Sequence, residues 1–517
     1  MESGAGCSRV LYGGSSLDAV RRLAETCAPT DVNDLHRASA LDLATMIRSG
    51  RVSSREVVES HIAKIQRVNP RLNAMVRDRF DDARREADVA DARLARGADG
   101  LPLLHGVPCT IKESFAVTGM PWTAGLVSRR DLRATHDAVT VKRLRDAGAI
   151  VLGVTNTSEL CMWMESVNKI YGRTTSAYDT GRTSGGSSGG EGAMVGSGAS
   201  PFGLGSDIGG SIRMPAFFNG VFGHKSSGGL VPGSGQFPQA MGSAALMLST
   251  GPLTRTARDL MPLLRLLAGP DAGDPMCRPM HLGDPASIDL ATITVHDVRD
   301  DKSLQRFPIE TALLDAQEAA VQALAKRGAR VVKTSVPGLS DAFELWGAAM
   351  HARNDVSFLS LLGGDGAPMT TLDVLREIPS SIVGRSDYTL PALSLALVEN
   401  VPAMLSSRMT TMTARVERLR SRVDALLGSR DLMLFPSHPR VAPKHHAPLL
   451  RFPDAGFTGV FNVLELPVTQ VPLGLDARAL PVGVQVIGPR GQDHVPIAAA
   501  LALEEALGGW VPPAEWS

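Results

Sequence analysis

The apolar residues fall first at helical spacing: Val57, Val58, Ile62, Ile65 and Val68 share one face, behind the capping box of Ser53 and Glu56 and ahead of Pro70, taken as the stop. A second helix, rich in Ala, Arg and Asp, is predicted over 81–96. The period then changes. Residues 104–111 read as a buried strand running into Lys112, with Pro108 marking an edge or a bulge. An amphipathic helix over 137–147 leads into the unbroken apolar run 150–154, which suits a strand covered on both faces. Strands that alternate with helices in this way are parallel neighbours in an α/β sheet. Beyond Gly251-Pro252 the pattern turns helical, at 260–267, 310–327 and 401–427. Strands return at 432–435, 467–473 and 482–487, and a helix over 495–507 follows. Strands near both ends predict one sheet assembled from both, and so a single large domain over 35–517, with its centre at about 104–255. Residues 1–34, small and polar, are expected to form an amino-terminal arm or an accessory helix.

Composition narrows the function class. Among 517 residues, 53 Lys and Arg balance 53 Asp and Glu, so no overall field draws the chain to nucleic acid or to an anionic membrane. Cys7, Cys27, Cys109, Cys161 and Cys277 are spread without a Cys-x-x-Cys pair, which suits a reducing compartment. No run approaches the ~18 continuous apolar residues of a membrane span, and the start of the chain lacks the charged-then-apolar order of a secretory signal. A cytoplasmic protein with no transmembrane segment and no nucleic-acid partner is expected.

The stretch 185–213 carries the candidate chemistry. It holds two Gly-Gly-Ser triplets, ending at Ser187 and Ser211, and a hydroxyl behind two glycines sits where backbone amides can point at a bound oxygen, as an acyl-transfer nucleophile requires. Ala193, Met194, Val195, Phe202, Leu204, Ile208 and Ile212 interleave the glycines, which separates the stretch from a flexible linker. A serine nucleophile needs a base, and none of the 12 histidines lies in the triplets. Gly186-Ser187-Ser188-Gly189-Gly190 matches the Gly-x-Ser-x-Gly elbow in form, but residues 178–183 ahead of it are polar and turn-like where the elbow requires a strand. Lysine is the other base. A buried lysine gives up its charge readily, and Lys112, between Ile111 and Phe115 at a strand end, is best placed for burial. Ser166 and Lys169 copy a β-lactamase spacing without its companion motifs, and Gly-His-Lys within 220–226 spoils the likeness to a phosphate loop. No clustered metal ligands and no dinucleotide loop are found, so neither metal nor cofactor is expected.

With these residues in hand, the chain resembles the amidase signature family: Lys112, the glycine-serine run 185–190 and the run 205–213 occur in the family's order and spacing. Residues 109–115, 158–163, 168–172 and 213–220 look most like the second-type fatty acid amide hydrolase branch, and the likeness extends over roughly 35–510. The resemblance implies a central twisted sheet, mixed and mostly parallel, covered by helices on both faces, and a serine hydrolase that cleaves amide bonds through an acyl-enzyme. It makes Lys112 the base and acid, Ser187 the bridging serine with a cis peptide bond, and Ser211 the nucleophile. The amides of Ile208, Gly209 and Gly210, with that of Ser211, would form the oxyanion hole, supported by Ser188, Asp207 and Arg213. A small hydrophobic amide, anilide, ester or carbamate is the implied substrate, and a glutaminase-type subunit of a tRNA-dependent amidotransferase is the alternative. Cys161, Met162, Trp163 and Met164 are the candidate pocket walls; the apolar residues 390–398 and 401–405 read first as plain core, and otherwise as the lining of an acyl channel or a membrane-surface contact, and a homodimer is compatible with the family. Three departures stand out. Glu113 replaces the usual aspartate after the lysine, His224-Lys225-Ser226-Ser227 replaces the usual Lys-Pro, and the amino-terminal membrane helix of the animal enzymes is not seen.

Overall fold

The computed structural model describes residues 35–299, 308–353, 356–364, 367–399 and 406–516. The expected arm over 1–34 and the apolar residues 401–405 lie outside the described residues. In chain order the strands are β1 (Met75–Asp78), β2 (Pro108–Lys112), β3 (Ile150–Thr155), the short pair β4 (Val167–Asn168) and β5 (Gly172–Arg173), β6 (Phe202–Asp207), β7 (Phe222–Lys225) and β8 (Ser249–Thr254). There follow β9 (Thr294–Asp297), β10 (Arg330–Lys333), β11 (Leu432–Pro436), β12 (Val468–Leu475) and β13 (Pro481–Ile487). All but β4 and β5 join one mixed sheet in the order β1-β3-β2-β6-β8-β7-β12-β13-β11-β9-β10. Parallel pairs form two blocks, β3-β2-β6 and β11-β9-β10, and antiparallel ladders run between them and at β1. The sheet is assembled from both ends of the chain: β7 pairs with β12, setting His224 opposite Thr469.

Side chains alternate across a strand, and here both sides are buried. Along β11, Leu432 and Leu434 enter the core that holds Val484, Val486 and residues such as Ile497 and Leu503 of the helix His494–Leu507. Met433 and Phe435 enter the opposite core, with Val460, Phe461, Val468 and Ile487. That is why these strands read as continuous apolar runs.

Three expectations change. The first helix keeps its capping box but runs Ser54–Leu72, past Pro70. Proline removes only its own donor, a loss the helix absorbs near its end, and the stop is Asn73, left-handed at φ 47. Residues 104–107 are turns, because Gly106 at φ 75 breaks the extended run; the strand starts at Pro108. β2 is no edge, lying between β3 and β6, and the bulge falls between Cys109 and Thr110. The pattern does turn helical beyond Gly251 and Pro252, first at Leu260–Leu267, but both residues lie inside β8, a strand the pattern did not predict.

β2 and β6 are parallel neighbours with Ile111 opposite Leu204, so their carboxyl ends deliver Lys112 and Ser206 to the same edge of the sheet. In α/β sheets that edge is where crevices form.

Candidate active site

Lys112, the last residue of β2, is wholly buried, and its Nζ lies 2.6 Å from Ser187 Oγ and 3.1 Å from Ser206 Oγ. Burial pushes its pKa down, because an ammonium there forgoes hydration; the Cys161 thiol and the Asp207 carboxylate oppose this only in part. A lysine in this state can accept a proton from the hydroxyl beside it. Below it, Glu191 accepts hydrogen bonds from Thr110 Oγ1 at 2.7 Å and Thr155 Oγ1 at 2.6 Å, and burial pushes its carboxyl up to about 8.

Ser187 follows a cis peptide bond from Gly186 and precedes the helix Gly189–Gly196. Position 186 has to be glycine: a Cβ there would stand 2.3 Å from the Trp163 carbonyl. Ser166 braces this turn, donating to Ser187 O at 2.9 Å and accepting from Gly189 N at 2.8 Å, so its β-lactamase-like spacing reflects a structural hydroxyl. Ser188 joins the two triplets. Its amide donates to Ser211 O at 3.2 Å and its hydroxyl to Ser206 O at 3.3 Å.

The loop after β6 wraps around one carboxylate. Asp207 accepts from Gly210 N at 2.7 Å and Ile212 N at 3.1 Å, and pairs with Arg213 at 2.9 Å where both side chains are fully buried. The Gly210 amide, expected among the oxyanion donors, is turned instead toward Asp207, because a buried carboxylate must be met by donors. Arg213 also donates to Thr458 O at 3.0 Å, Gln485 Oε1 at 2.8 Å and Asn462 Oδ1 at 2.6 Å. Burial alone would raise the Asp207 pKa; the guanidinium overcomes it and holds the carboxylate well below its usual range. Arg213→Met would strand that charge, and the expected result is a loss of about 3–5 kcal/mol in a urea melt. An unchanged midpoint would show that the pair bears no weight.

Thr458, Asn462 and Gln485 were missed in the sequence. The signal was a lone polar residue inside an apolar run, in the helix Gly456–Val463 and in β13, since such a residue must find partners. The departures at Glu113 and His224 are also accommodated. Glu113 accepts from Thr123 N at 2.8 Å, Ala124 N at 2.8 Å and Tyr171 Oη at 2.9 Å, although burial still pushes its pKa up. In place of Lys-Pro, Asp493 closes the turn, bonded to His224 Nε2 at 3.1 Å and accepting from Ser227 Oγ at 2.6 Å.

Ser211 is 7% exposed and opens onto two adjoining cavities, of about 300 and about 180 Å³. They share Cys161, Met162, Ile208, Phe343, Trp346 and Leu395 as walls; Trp163, Met164 and Gly209 line the larger, and Ser187, Ser206 and Gln236 the smaller. Among the described residues, no Asp, Glu, Lys or Arg lines either cavity. Of the apolar stretch 390–398, Ser394 and Leu395 reach the larger cavity, while Ala392, Leu393 and Ala396 pack into a core with Phe358 and Leu362. Phe343 and Trp346, from the helix Ala342–Arg353, had no sequence signal beyond being aromatic. His351 reaches the wall of the smaller cavity, but it is Lys112 that touches Ser187; His438 and His445 are bonded to the Arg440 and Thr180 carbonyls. Among the described residues, no three His, Cys, Asp or Glu side chains gather as a metal site, and no helix is long and apolar enough to cross a membrane.

The profile of the Amidase family matches residues 56–495. The chain is 43% identical over 499 residues to fatty-acid amide hydrolase 2-B of Danio rerio, covering 94% of this chain and 92% of that one. It is 42% identical over 491 residues to fatty-acid amide hydrolase 2 of Homo sapiens, covering 92% and 90%. Among solved structures, 6-aminohexanoate cyclic dimer hydrolase complexed with substrate matches with a TM-score of 0.75 at 26% identity, covering 94% of this chain and all of that one.

Proposed function

The chain belongs to the Amidase family and is an amide hydrolase, and on that premise we propose that it cleaves small hydrophobic amides through an acyl-enzyme on Ser211, with Lys112 moving the proton through Ser187. The observation that carries this reading is the buried, charge-averse Lys112 at 2.6 Å from Ser187, beside a largely apolar cavity that both Ser187 and Ser211 line. In the first step neutral Lys112 takes the Ser187 proton as Ser187 takes that of Ser211, and Ser211 Oγ bonds to the amide carbon. The amides of Ile208, Gly209 and Ser211 face the oxygen that becomes negative, and each such donor lowers the barrier by about 3 kcal/mol. The proton then returns from Lys112 through Ser187 to the nitrogen, the carbon–nitrogen bond breaks and the amine leaves. Water repeats the sequence in place of Ser211 and frees the acid. Esters and carbamates offer the same carbonyl to the same relay.

Cavity walls without Asp, Glu, Lys or Arg favour an apolar substrate. They disfavour the glutaminase alternative, because among the described lining residues no carboxylate meets glutamine's ammonium and no Lys or Arg meets its carboxylate. The test is hydrolysis of a hydrophobic anilide by the chain alone, followed across pH. Lys112 works when neutral, and its pKa lies below the ordinary lysine value of 10.5. The rate therefore rises with pH and levels off at a pH below that at which an ordinary lysine loses its proton, the limb reporting Lys112 being deprotonated. A flat profile with chemistry limiting would remove lysine as the base, and activity on glutamine only with an added partner protein would remove the hydrolase reading.

A further inference from the structure

We infer that Trp346 is a positioning residue for the oxyanion site, holding the peptide between Ile208 and Gly209 by its indole N–H while its ring forms a wall common to both cavities. The inference rests on Ser211 acting as the nucleophile. Trp346 lies in the helix Ala342–Arg353, far along the chain from β6, and its Nε1 donates to Ile208 O at 2.9 Å. In a planar trans peptide the carbonyl and the next N–H point in opposite directions, so the grip on Ile208 O sets the direction of the Gly209 N–H. The following peptide is tied at both atoms by other groups, its carbonyl accepting from Thr458 Oγ1 at 2.7 Å and its N–H donating to Asp207 at 2.7 Å. The peptide ahead of it depends on the indole.

The ring is held as closely as its nitrogen. A Cβ added at Gly209 would stand 3.1 Å from Trp346 Cζ2, and one added at Gly459 would stand 2.9 Å from its Cγ. The indole is thus clamped between the nucleophile loop and the helix Gly456–Val463. A donor on the carbonyl also polarises the peptide, which strengthens the N–H at its other end. Because the same ring lines both cavities, a group that fills either one packs against Trp346 and opposes its withdrawal from Ile208. Part of the binding energy of a well-fitting substrate then appears in kcat rather than in KM.

Trp346→Phe keeps an aromatic wall and removes the donor. With turnover counted per site titrated by a fluorophosphonate, kcat on a hydrophobic anilide is expected to fall about tenfold or more while KM moves less than about twofold. Affinity for an aryl boronic acid, whose Ser211 adduct places an oxygen where the oxyanion forms, should weaken by a similar factor. Affinity for the matching benzylic alcohol, which fills the cavity without forming an adduct, should not. An unchanged kcat, a rise in KM with kcat preserved, or equal losses for boronate and alcohol would each overturn the inference and leave Trp346 as a plain wall. If Trp346→Phe does not fold, 3-benzothienylalanine at position 346, with sulfur in place of the N–H and the ring shape kept, must give the same pattern. Ser211→Ala, assayed in parallel, separates the two levels. Hydrolysis by that variant would remove the acyl-enzyme itself, whereas an inactive Ser211→Ala beside a normal Trp346→Phe would remove only the role of Trp346.

Discussion

Ser211→Ala will hydrolyse a hydrophobic amide about 10⁴- to 10⁶-fold more slowly than the parent chain and will no longer take up a fluorophosphonate. The loss is this large because the nucleophile is the one component for which the surrounding machinery has no substitute. Ser187 lies against Lys112, where it can relay a proton but is occupied in doing so; Ser188 is turned to the Ser206 carbonyl and Ser166 to that of Ser187. Ser211 alone of these stands beside Ile208 and Gly209 on the wall of the larger cavity. Peptide mapping of the labelled parent protein by mass spectrometry checks the assignment directly. An adduct on Ser187 or Ser188, or labelling that survives in Ser211→Ala, would return the histidine-based elbow to consideration.

The second large effect is selective for the leaving group. Lys112→Ala should cut amide hydrolysis by about 10²- to 10⁴-fold, the range general acid–base catalysis supplies, and ester hydrolysis by clearly less. An amine cannot depart from the tetrahedral adduct until its nitrogen is protonated, whereas a phenolate or an activated alkoxide leaves without that help. Removing the lysine therefore takes two proton transfers from amides and mainly one from esters. Matched amide and ester pairs with a common acyl group give the ratio, and an equal loss on both would show that Lys112 only organises the site. Because Lys112 is wholly buried, unfolding of the variant must be measured alongside, so that a collapsed cavity is not read as lost chemistry.

How far the chain could be read depended on what each segment answers to. The strands over 432–435 and 482–487 and the helix over 260–267 were legible because their apolar pattern is set by burial on known faces. β6 was hidden. Its sequence, Phe-Gly-Leu-Gly-Ser-Asp, has the glycine content of a loop, yet a Cβ at Gly203 would fall 1.7 Å from Glu191 Oε2 and one at Gly205 3.0 Å from Ser188 Oγ. Glycine is there because the helix Gly189–Gly196 and the first serine triplet press against the strand, a tertiary demand that local propensity cannot express. In the same way Gly251 and Pro252 disguised β8. The serines and the lysine were found by motif, but Trp346, Thr458, Asn462 and Gln485 act on the loop from distant segments, and only their packing reveals it. The Gly210 amide shows the opposite limit: its place in the motif was clear, but not which way its N–H would point.

The five donors of Arg213 set a schedule for the chain's synthesis. Two face Asp207, six residues away, but the others wait for Thr458, Asn462 and Gln485, and β7 waits for β12. While the ribosome is still adding the residues beyond β8, a guanidinium meant for a dry interior has only water and one carboxylate to hold it, and the loop bearing Ser211 has no reason to close. Pairings so remote in sequence form late and slowly. A nascent chain halted before the strand that carries Gln485 holds Lys112, Ser187 and Ser211 but lacks the partners that close the loop around Arg213, and such a chain is expected to show no amide hydrolysis.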